Sequence, residues 1–594
     1  MKRISIFALA ALLMFGSMPE AQASNVDVKM RGLYEFAFNT MQNRTFADSA
    51  NWSTARYPRQ AGVANSQERR QRNDNFEARQ RMQIWADFVA SENLSGTVHF
   101  RIGQTVWGRS NAANTGGGAG GALDTDGVNI RVRQAYIDWL VPNTRVSVRM
   151  GLQTIALPAT RLGSNVLNAN VAGVTVASPI TDWMRVTAFW IRPYHQQMND
   201  QGVNDGFNTA DGNGMLRWGG LSRNVNTASD FFGLVLPMNF TGVRVSPWAM
   251  YGRVGAASGH FNPNGGQAFN YRQTVWDHYA ATTTANDPAP GVTSVVHNLS
   301  VSNKTANVFY LGANLNVTIL DPLVFGMDMA YGRIGRTKYG GLTAAVADNP
   351  NQRNRAIDGD TPFRSLEASG WYIGATLDYR MSWGTPGIFG WYGSGDSLGD
   401  RQNGKIGRMP NMLTPGGNFR YSTFGGTGMF GLSQEAIGNV TGTGTGTWGV
   451  GIQVANVSFV KNLSHVLRFA YVRGTNDAAI PKAVLHDSID NFYGGRANAR
   501  LLPAGQNALL QWGSDTLYLT TKDSVFEINF DHQYRIYENL TAALELGYMR
   551  LSSDVNTWGS DHRLNAPQNR WFERRHTKGG DNAWKANLMF NYSF

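Results

Sequence analysis

Over most of the chain, apolar and polar residues alternate with a period of two, the period at which successive side chains leave a strand on opposite faces. The first such run, VDVKMRGLYEFAF, puts Val26, Val28, Met30, Tyr34, Phe36 and Phe38 on one face and Asp27, Lys29, Arg31 and Glu35 on the other. The last, AWKANLMFNYSF, sets Trp584, Ala586, Leu588, Phe590, Tyr592 and Phe594 against Lys585, Asn587, Met589, Asn591 and Ser593. Between them, RMQIWADFVA and SGTVHFRIGQTVW carry Met82, Ile84, Phe88, Val98, Phe100 and Ile102 on their apolar faces, and runs such as YLGANLNVT and LVFGMDMAYG continue the pattern.

The connections between these runs fall into two kinds. Short turns are expected at SENLS (91–95), VPNT (141–144), SPIT (178–181), MNFT (238–241), ILDP (319–322), SWGTP (382–386), VKNLS (460–464) and RIYEN (535–539). The intervening connections are long and rich in Gly, Asn, Asp and Pro, among them 255–303 and 397–446. Eight short turns alternating with long loops give about eighteen strands, with sixteen as the alternative count. Short turns at one end and long loops at the other is the asymmetry of an outer-membrane barrel, periplasmic turns against extracellular loops. The expected fold is therefore all-β: a transmembrane antiparallel barrel with its apolar faces toward lipid.

Both chain ends fit that reading. The alternating tail with a terminal Phe resembles the assembly signal of bacterial outer-membrane barrels, with Trp584, Leu588, Phe590, Tyr592 and Phe594 as its residues and the barrel-assembly machinery as the implied partner. At the other end, Lys2 and Arg3 precede ISIFALAALLMF and the small-x-small Ala21-Gln22-Ala23, the pattern of a secretory signal peptide. Its apolar run of about a dozen residues is short of the roughly 20 that span a bilayer. The expected division is a signal peptide over 1–23 and one barrel domain over 24–594.

Composition narrows the alternatives. No later stretch of 18 consecutive apolar residues occurs, which excludes a bundle of membrane helices. The 67 glycines, 30 phenylalanines, 21 tyrosines and 17 tryptophans suit a barrel with aromatic girdles, for which Tyr34, Trp139, Trp190, Trp371, Tyr379, Trp391, Tyr471 and Tyr548 are candidates. Cysteine is absent, so disulfides, thiolate metal sites and cysteine nucleophiles are ruled out.

Three segments, NVDVKMRGLYEFAF, IRVRQAYIDWLVPNTRVSVRMGLQ and NLMFNYSF, resemble the outer-membrane homotrimeric porins of sulfate-reducing anaerobic bacteria. The resemblance implies a homotrimer of pores, each with an inward-folding constriction loop, seated among outer-membrane lipid and lipopolysaccharide. A barrel of eighteen strands is too wide for wall side chains to fill, and passive diffusion of small hydrophilic solutes and ions is the expected function.

The alternation assigns Arg81, Arg101, Arg131, Arg133, Arg145, Arg149, Arg185 and Arg244 to the lumen, with Asp87. The run IRVRQAYIDW can turn Arg131, Arg133 and Asp138 all inward only through a bulge. The later strands are mixed: Asp328, Asp378, Glu527, Asp531 and Glu545 with Arg380, Arg468 and Lys585. A basic wall opposite an acidic one predicts a transverse field and weak anion preference, lowered when Arg145, Arg149 and Arg161 become Gln. The constriction is expected between Thr154 and Asn170, where the loop contains Arg161 and no Asp or Glu. An ordinary surface loop is the plainer alternative.

A substrate-selective channel for a sugar or organic anion is the second reading, with Trp85, Trp107 and Trp183 as a lumenal aromatic slide. An outer-membrane barrel enzyme is the reading from a different class, but no Ser-His-Asp grouping is evident among ten histidines. LDTDGV (123–128) holds a calcium-loop fragment without the remaining ligands, and neither metal nor cofactor is expected. The net charge of +11 points to lipopolysaccharide and lumenal anions in a secreted barrel, with no nucleic-acid partner.

Overall fold

The computed structural model describes residues 26–42, 75–108, 130–194, 229–255, 305–338, 365–402, 405–410, 412, 419–424, 444–479, 519–552, 554, 557 and 581–594. The signal-peptide segment, the LDTDGV run and most of the long connections lie outside them.

The strands are β1 Asp27–Gln42, β2 Asn75–Ser91, β3 Leu94–Val106, β4 Ile130–Leu140, β5 Ser147–Ala156, β6 Asn168–Pro179, β7 Arg185–Tyr194, β8 Ser229–Val235, β9 Met238–Phe240 and β10 Val243–Gly255. The second half continues with β11 Thr305–Val317, β12 Leu323–Lys338, β13 Ser365–Tyr379, β14 Thr385–Gly393, β15 Lys405–Ile406, β16 Thr447–Val460, β17 Leu463–Gly474, β18 Ser524–Tyr537, β19 Leu540–Ser552 and β20 Asp581–Ser593. β8 and β9 both pair with β10 and form one interrupted barrel strand. β15 is a two-residue strand of the loop after β14, paired parallel with β13. With β8 and β9 counted together and β15 set aside, eighteen antiparallel strands remain, and β1 pairs with β20 to close the sheet. Closure leaves no edge, so every wall strand has hydrogen-bonded neighbours on both sides.

All eight expected turns connect adjacent strands. One is shorter than expected: Met238–Phe240 still pair with Val243–Val245, which confines the MNFT turn to Thr241 and Gly242. Gly242 has φ +70°, a conformation L side chains avoid.

The outer face carries Phe309, Leu311, Ile388, Val450 and Ile452, each exposed, in an apolar belt around the sheet. Tyr34, Trp371, Tyr379, Tyr471 and Tyr548 also point outward. Trp391 departs from the expected girdle: it faces inward, is 5% exposed, and packs on Phe419 and Tyr421 at 4.8 and 4.7 Å. A loop that returns into the barrel reverses the environment of its residue without changing the strand's alternation.

The inner face is less polar than the alternation implies. Ile191, Phe231, Trp248, Met250, Val308, Tyr310, Ile334, Phe389 and Val472 point inward and form a buried cluster with Leu157, Leu162, Val166, Leu167, Phe419 and Phe424 from two loops. Each fully buried aliphatic side chain of this kind contributes roughly 1.5–3 kcal/mol, so the loops are held inside the barrel by ordinary hydrophobic packing.

Candidate functional site: a partitioned lumen with an arginine-lined wall

The loop between β5 and β6, residues 157–167, crosses the lumen. Its neck is closed by Leu157 N donating to Leu167 O at 3.0 Å, and Leu162, Val166 and Leu167 at its apolar positions are buried. At its tip Thr160 N donates to Asp328 Oδ2 at 2.7 Å. Arg161 forks onto Asp378, Nε to Oδ2 at 3.0 Å and Nη2 to Oδ1 at 3.2 Å, with further bonds to Gln453 Oε1 and Ile388 O. Its guanidinium stands 5.1 Å from the centre of the Phe389 ring. Burial pulls the Arg161 guanidinium below its usual range and Asp378 opposes that shift, leaving it cationic at any working pH. The loop is thus folded into the lumen and not laid on the surface, and it supplies the cation while the wall supplies the carboxylate.

A second segment, from the long connection between β14 and β16, meets it. Met412 N donates to Val166 O, Arg420 N to Leu162 O, and Gly444 N to Asn165 Oδ1, at 2.9, 2.6 and 2.9 Å. Ser422 Oγ donates to Glu527 Oε1 at 2.5 Å, Thr423 Oγ1 to Asn529 Oδ1, and Lys585 Nζ to Thr423 O. Phe424 fills the space over Gly547, where a Cβ would meet its ring at 2.7 Å. Sequence reasoning missed Ser422, Thr423 and Phe424; the one trace of them is the clustering of Phe419, Tyr421 and Phe424 in an otherwise Gly-rich loop.

These two segments consume the acidic wall. Asp328 accepts from Thr160 and from Asn314 Nδ2 at 2.7 Å, Asp378 from Arg161, and Glu527 from Ser422. Asp531 pairs with Arg468 at 2.7 Å, and Glu545 with Lys585 at 3.5 Å and Asn587 at 2.9 Å. Arg380 lies in the turn after β13. Asp378, Asp531 and Glu545 meet cations while Asp328 and Glu527 accept from neutral donors, so the acidic wall keeps part of its charge but is bonded throughout.

The other wall is not. Glu35 on β1 accepts from Arg81 Nη2 at 2.8 Å and Gln83 Nε2 at 2.9 Å. Gln83, Arg101 and Arg131 follow across β2, β3 and β4 as cross-strand partners. The β3–β4 register shifts between His99 and Phe100, a bulge that brings Arg133 within electrostatic reach of Arg81 and Glu35 while Arg131 stays beside Arg101. Arg101, Arg131 and Arg133 have no carboxylate partner among the described residues. Arg31 caps the row, 5.6 Å over Trp85, which stacks on His99 at 4.2 Å.

The remaining candidates separate from this group. Arg149 faces inward but is taken by Asp138, at 2.7 and 2.8 Å, and lies 4.2 Å over Tyr136. Arg145 is not on the wall: Val141 N bonds to Val146 O, β5 begins at Ser147, and Arg145 stays exposed in the turn. Arg185 and Arg244 are inward-facing at the short-turn mouth, at or next to the first residues of β7 and β10. Of the three tryptophans expected in the lumen only Trp85 is there. Trp107 stands edge-on to outward Phe38 and bonds Gln80, and Trp183 stacks on Phe240 at the rim. His99 bonds Gln83 at 3.1 Å, while His465 and His532 face out and contact each other at 2.6 Å.

Fold and site together define a closed transmembrane barrel whose lumen is narrowed by two inward loops and left strongly basic along β1–β4. No family model and no curated protein matches the chain. Among solved structures it is similar to OpdQ of Pseudomonas aeruginosa, with 10% identity over 96% of this chain and 98% of that one and a TM-score of 0.40. OpdK of the same organism, solved with vanillate, gives 10%, 96%, 98% and 0.42, and OccAB2 of Acinetobacter baumannii gives 9%, 96%, 98% and 0.41. Likeness this distant adds nothing to what the strand ladder itself establishes.

Proposed function

We propose that the protein is an outer-membrane porin: a water-filled channel for passive diffusion of small hydrophilic solutes and ions, with weak preference for anions. The observation that carries this reading is the row of Arg101, Arg131 and Arg133, which have no carboxylate partner among the described residues, beside the Arg81–Glu35 pair. Several guanidinium groups facing one carboxylate hold a positive potential in a low-dielectric wall and raise the local concentration of anions. The apolar outer belt suits lipid contact, and the tail and signal-peptide patterns suit export and assembly at the outer membrane. The resemblance to homotrimeric porins supports three protomers, each with its own passage. Reconstitution in a planar bilayer tests the reading: ion conductance with a reversal potential of anionic sign in a salt gradient is expected, and absence of conductance from correctly folded protein overturns it.

A further inference from the structure

On five strands that run toward the long loops, the outer face ends in the same pair: an aromatic and, two positions on, an arginine. β7 carries Trp190 and Arg192, β10 Tyr251 and Arg253, and β12 Tyr331 and Arg333; β17 carries Tyr471 and Arg473, and β19 Tyr548 and Arg550. The five arginines are exposed, while adjacent residues such as Ile191, Ile334, Val472 and Met549 are buried on the inner face. These guanidinium groups therefore project from the outside of the barrel and take no part in the lumenal row. Register keeps neighbouring members close in level. Arg253 stands opposite Asp230, and Arg333 opposite Phe309, the partner of Tyr251. Arg473 stands opposite Ser524, two residues from Phe526, the partner of Arg550. Most of this charge is left open. Arg192 forks onto Asp230, Nε to Oδ1 at 2.8 Å and Nη2 to Oδ2 at 2.9 Å. Arg253 Nη2 donates to Thr305 Oγ1 at 3.1 Å and Arg473 Nε to Thr521 O at 2.7 Å, both neutral acceptors. Arg333, Arg473 and Arg550 have no carboxylate partner among the described residues, and Glu367, the other outward carboxylate at this end of the described strands, forms no ion pair with them. The short-turn ends of the same five strands place Arg185 and Arg244 inward and no arginine outward.

We infer that this rim is a docking surface for lipids whose headgroups carry phosphate monoesters, in the leaflet at the long-loop end, with the arginines on the phosphates and the aromatic rings at the acyl-chain boundary. The inference rests on the outer-membrane reading and goes beyond it in naming the lipid chemistry and the residues. Aromatic side chains on the lipid face of a barrel sit at the boundary between hydrocarbon and headgroups. An arginine two residues further along, about 7 Å, lies at headgroup depth, where a charge costs little and phosphate is the counter-ion at hand. A guanidinium fork matches two phosphate oxygens with parallel hydrogen bonds, which an ammonium at the same place would meet only as a point charge. A zwitterionic headgroup brings its own cation to its phosphate, so the rim favours headgroups with phosphate and no such cation. The absence of an outward arginine at the other end of these strands confines the preference to one leaflet.

The test is native mass spectrometry of the purified full-length protein in detergent, with diphosphoryl lipid A, the same lipid stripped of its phosphates, and dioleoylphosphatidylcholine as probes. Saturable retention of diphosphoryl lipid A is expected, with neither of the other lipids approaching it. Arg253→Gln, Arg333→Gln, Arg473→Gln and Arg550→Gln together should weaken that retention about tenfold or more, the loss of charge-assisted hydrogen bonds. Changing Arg101, Arg131 and Arg133 to Gln should leave lipid A in place and shift the reversal potential. Because the rim arginines are exposed, heat-dependent gel mobility should show the four-residue variant still folded, and the comparison among the three lipids on the parent chain decides independently of any variant. Lipid A retention that is absent, that the stripped lipid equals, that survives the four-residue change, or that an equal concentration of inorganic phosphate abolishes would overturn the rim as a lipid site. Absence of conductance with lipid A retention intact would instead overturn the channel reading and leave the rim standing.

Discussion

The ring of Phe594 lies directly over Gly32. The two residues exchange main-chain hydrogen bonds, Gly32 N to Phe594 O at 2.8 Å and Phe594 N to Gly32 O at 3.1 Å, and a Cβ on Gly32 would fall within the Phe594 ring. Tyr34 and Tyr592 flank that ring at 5.8 and 6.0 Å. The last residue of the chain is therefore a cross-strand partner at the seam where β1 and β20 close the barrel, and its aromatic ring needs a residue without a side chain opposite it.

A prediction on assembly follows from that seam. Deleting Phe594, or replacing Gly32 with Val, should lower the yield of folded protein in the outer membrane and the temperature at which the compact band on a gel converts to the unfolded one. Both changes remove one contact, so the double variant should be little worse than either alone, the non-additivity expected of residues that touch. Additive losses, or normal yield from the Gly32→Val chain, would count against the seam as the point of closure.

The Arg161–Asp378 pair fixes the crossing loop to the far wall. Arg161→Gln leaves Asp378 half-buried without its cation and should cost about 1–3 kcal/mol of loop docking. The expected readout is a larger or noisier single-channel conductance, with Asp378→Asn giving a similar effect. The exchange Arg161→Asp with Asp378→Arg should return conductance toward that of the parent. Unchanged conductance in both single variants would mean that Leu162, Val166 and Leu167 alone hold the loop.

Much of this architecture is legible in the chain because a strand's two faces repeat every second residue. Val26 to Phe38 and Trp584 to Phe594 face outward as their alternation demands, and SENL, VPNT and the other turn segments connect adjacent strands. The run IRVRQAYIDW even announces its bulge, since Arg131, Arg133 and Asp138 are incompatible with unbroken alternation. What alternation cannot encode is which loops turn inward. Asp378 and Glu527 read as free wall charges until Arg161, 217 residues away, and Ser422, 105 residues away, are placed on them. Trp391 reads as a girdle residue until Phe419 and Tyr421 cover it. Loop length and composition carry no period, and their partners are chosen by tertiary packing.

Assembly state is testable independently of any site. Three protomers with separate passages should give conductance that rises in triplets on insertion into a planar bilayer, and crosslinking of the purified protein should yield a trimer band. Single independent steps from a sample that crosslinks only as monomer would refute the trimer.

The last prediction concerns which arginines set ion preference. Neutralising Arg145, Arg149 and Arg161 together removes one turn residue and two guanidinium groups already matched by Asp138 and Asp378. That triple variant leaves Asp138 and Asp378 without their cations, so it should lower anion preference and also change conductance through the loop. Neutralising Arg101, Arg131 and Arg133 removes charges that only Glu35 opposes among the described residues, and it should reduce anion preference strongly while leaving the crossing loop in place. Salt screens exposed charges over a Debye length of about 10 Å at 0.1 M and about 30 Å at 0.01 M, so the loss of anion preference in both triples should grow as salt is diluted. Reversal potentials measured across a tenfold gradient at both salt levels decide the matter. If the Arg101, Arg131 and Arg133 triple keeps the parent's preference in dilute salt, or the parent itself prefers cations, the basic wall is not the source of selectivity.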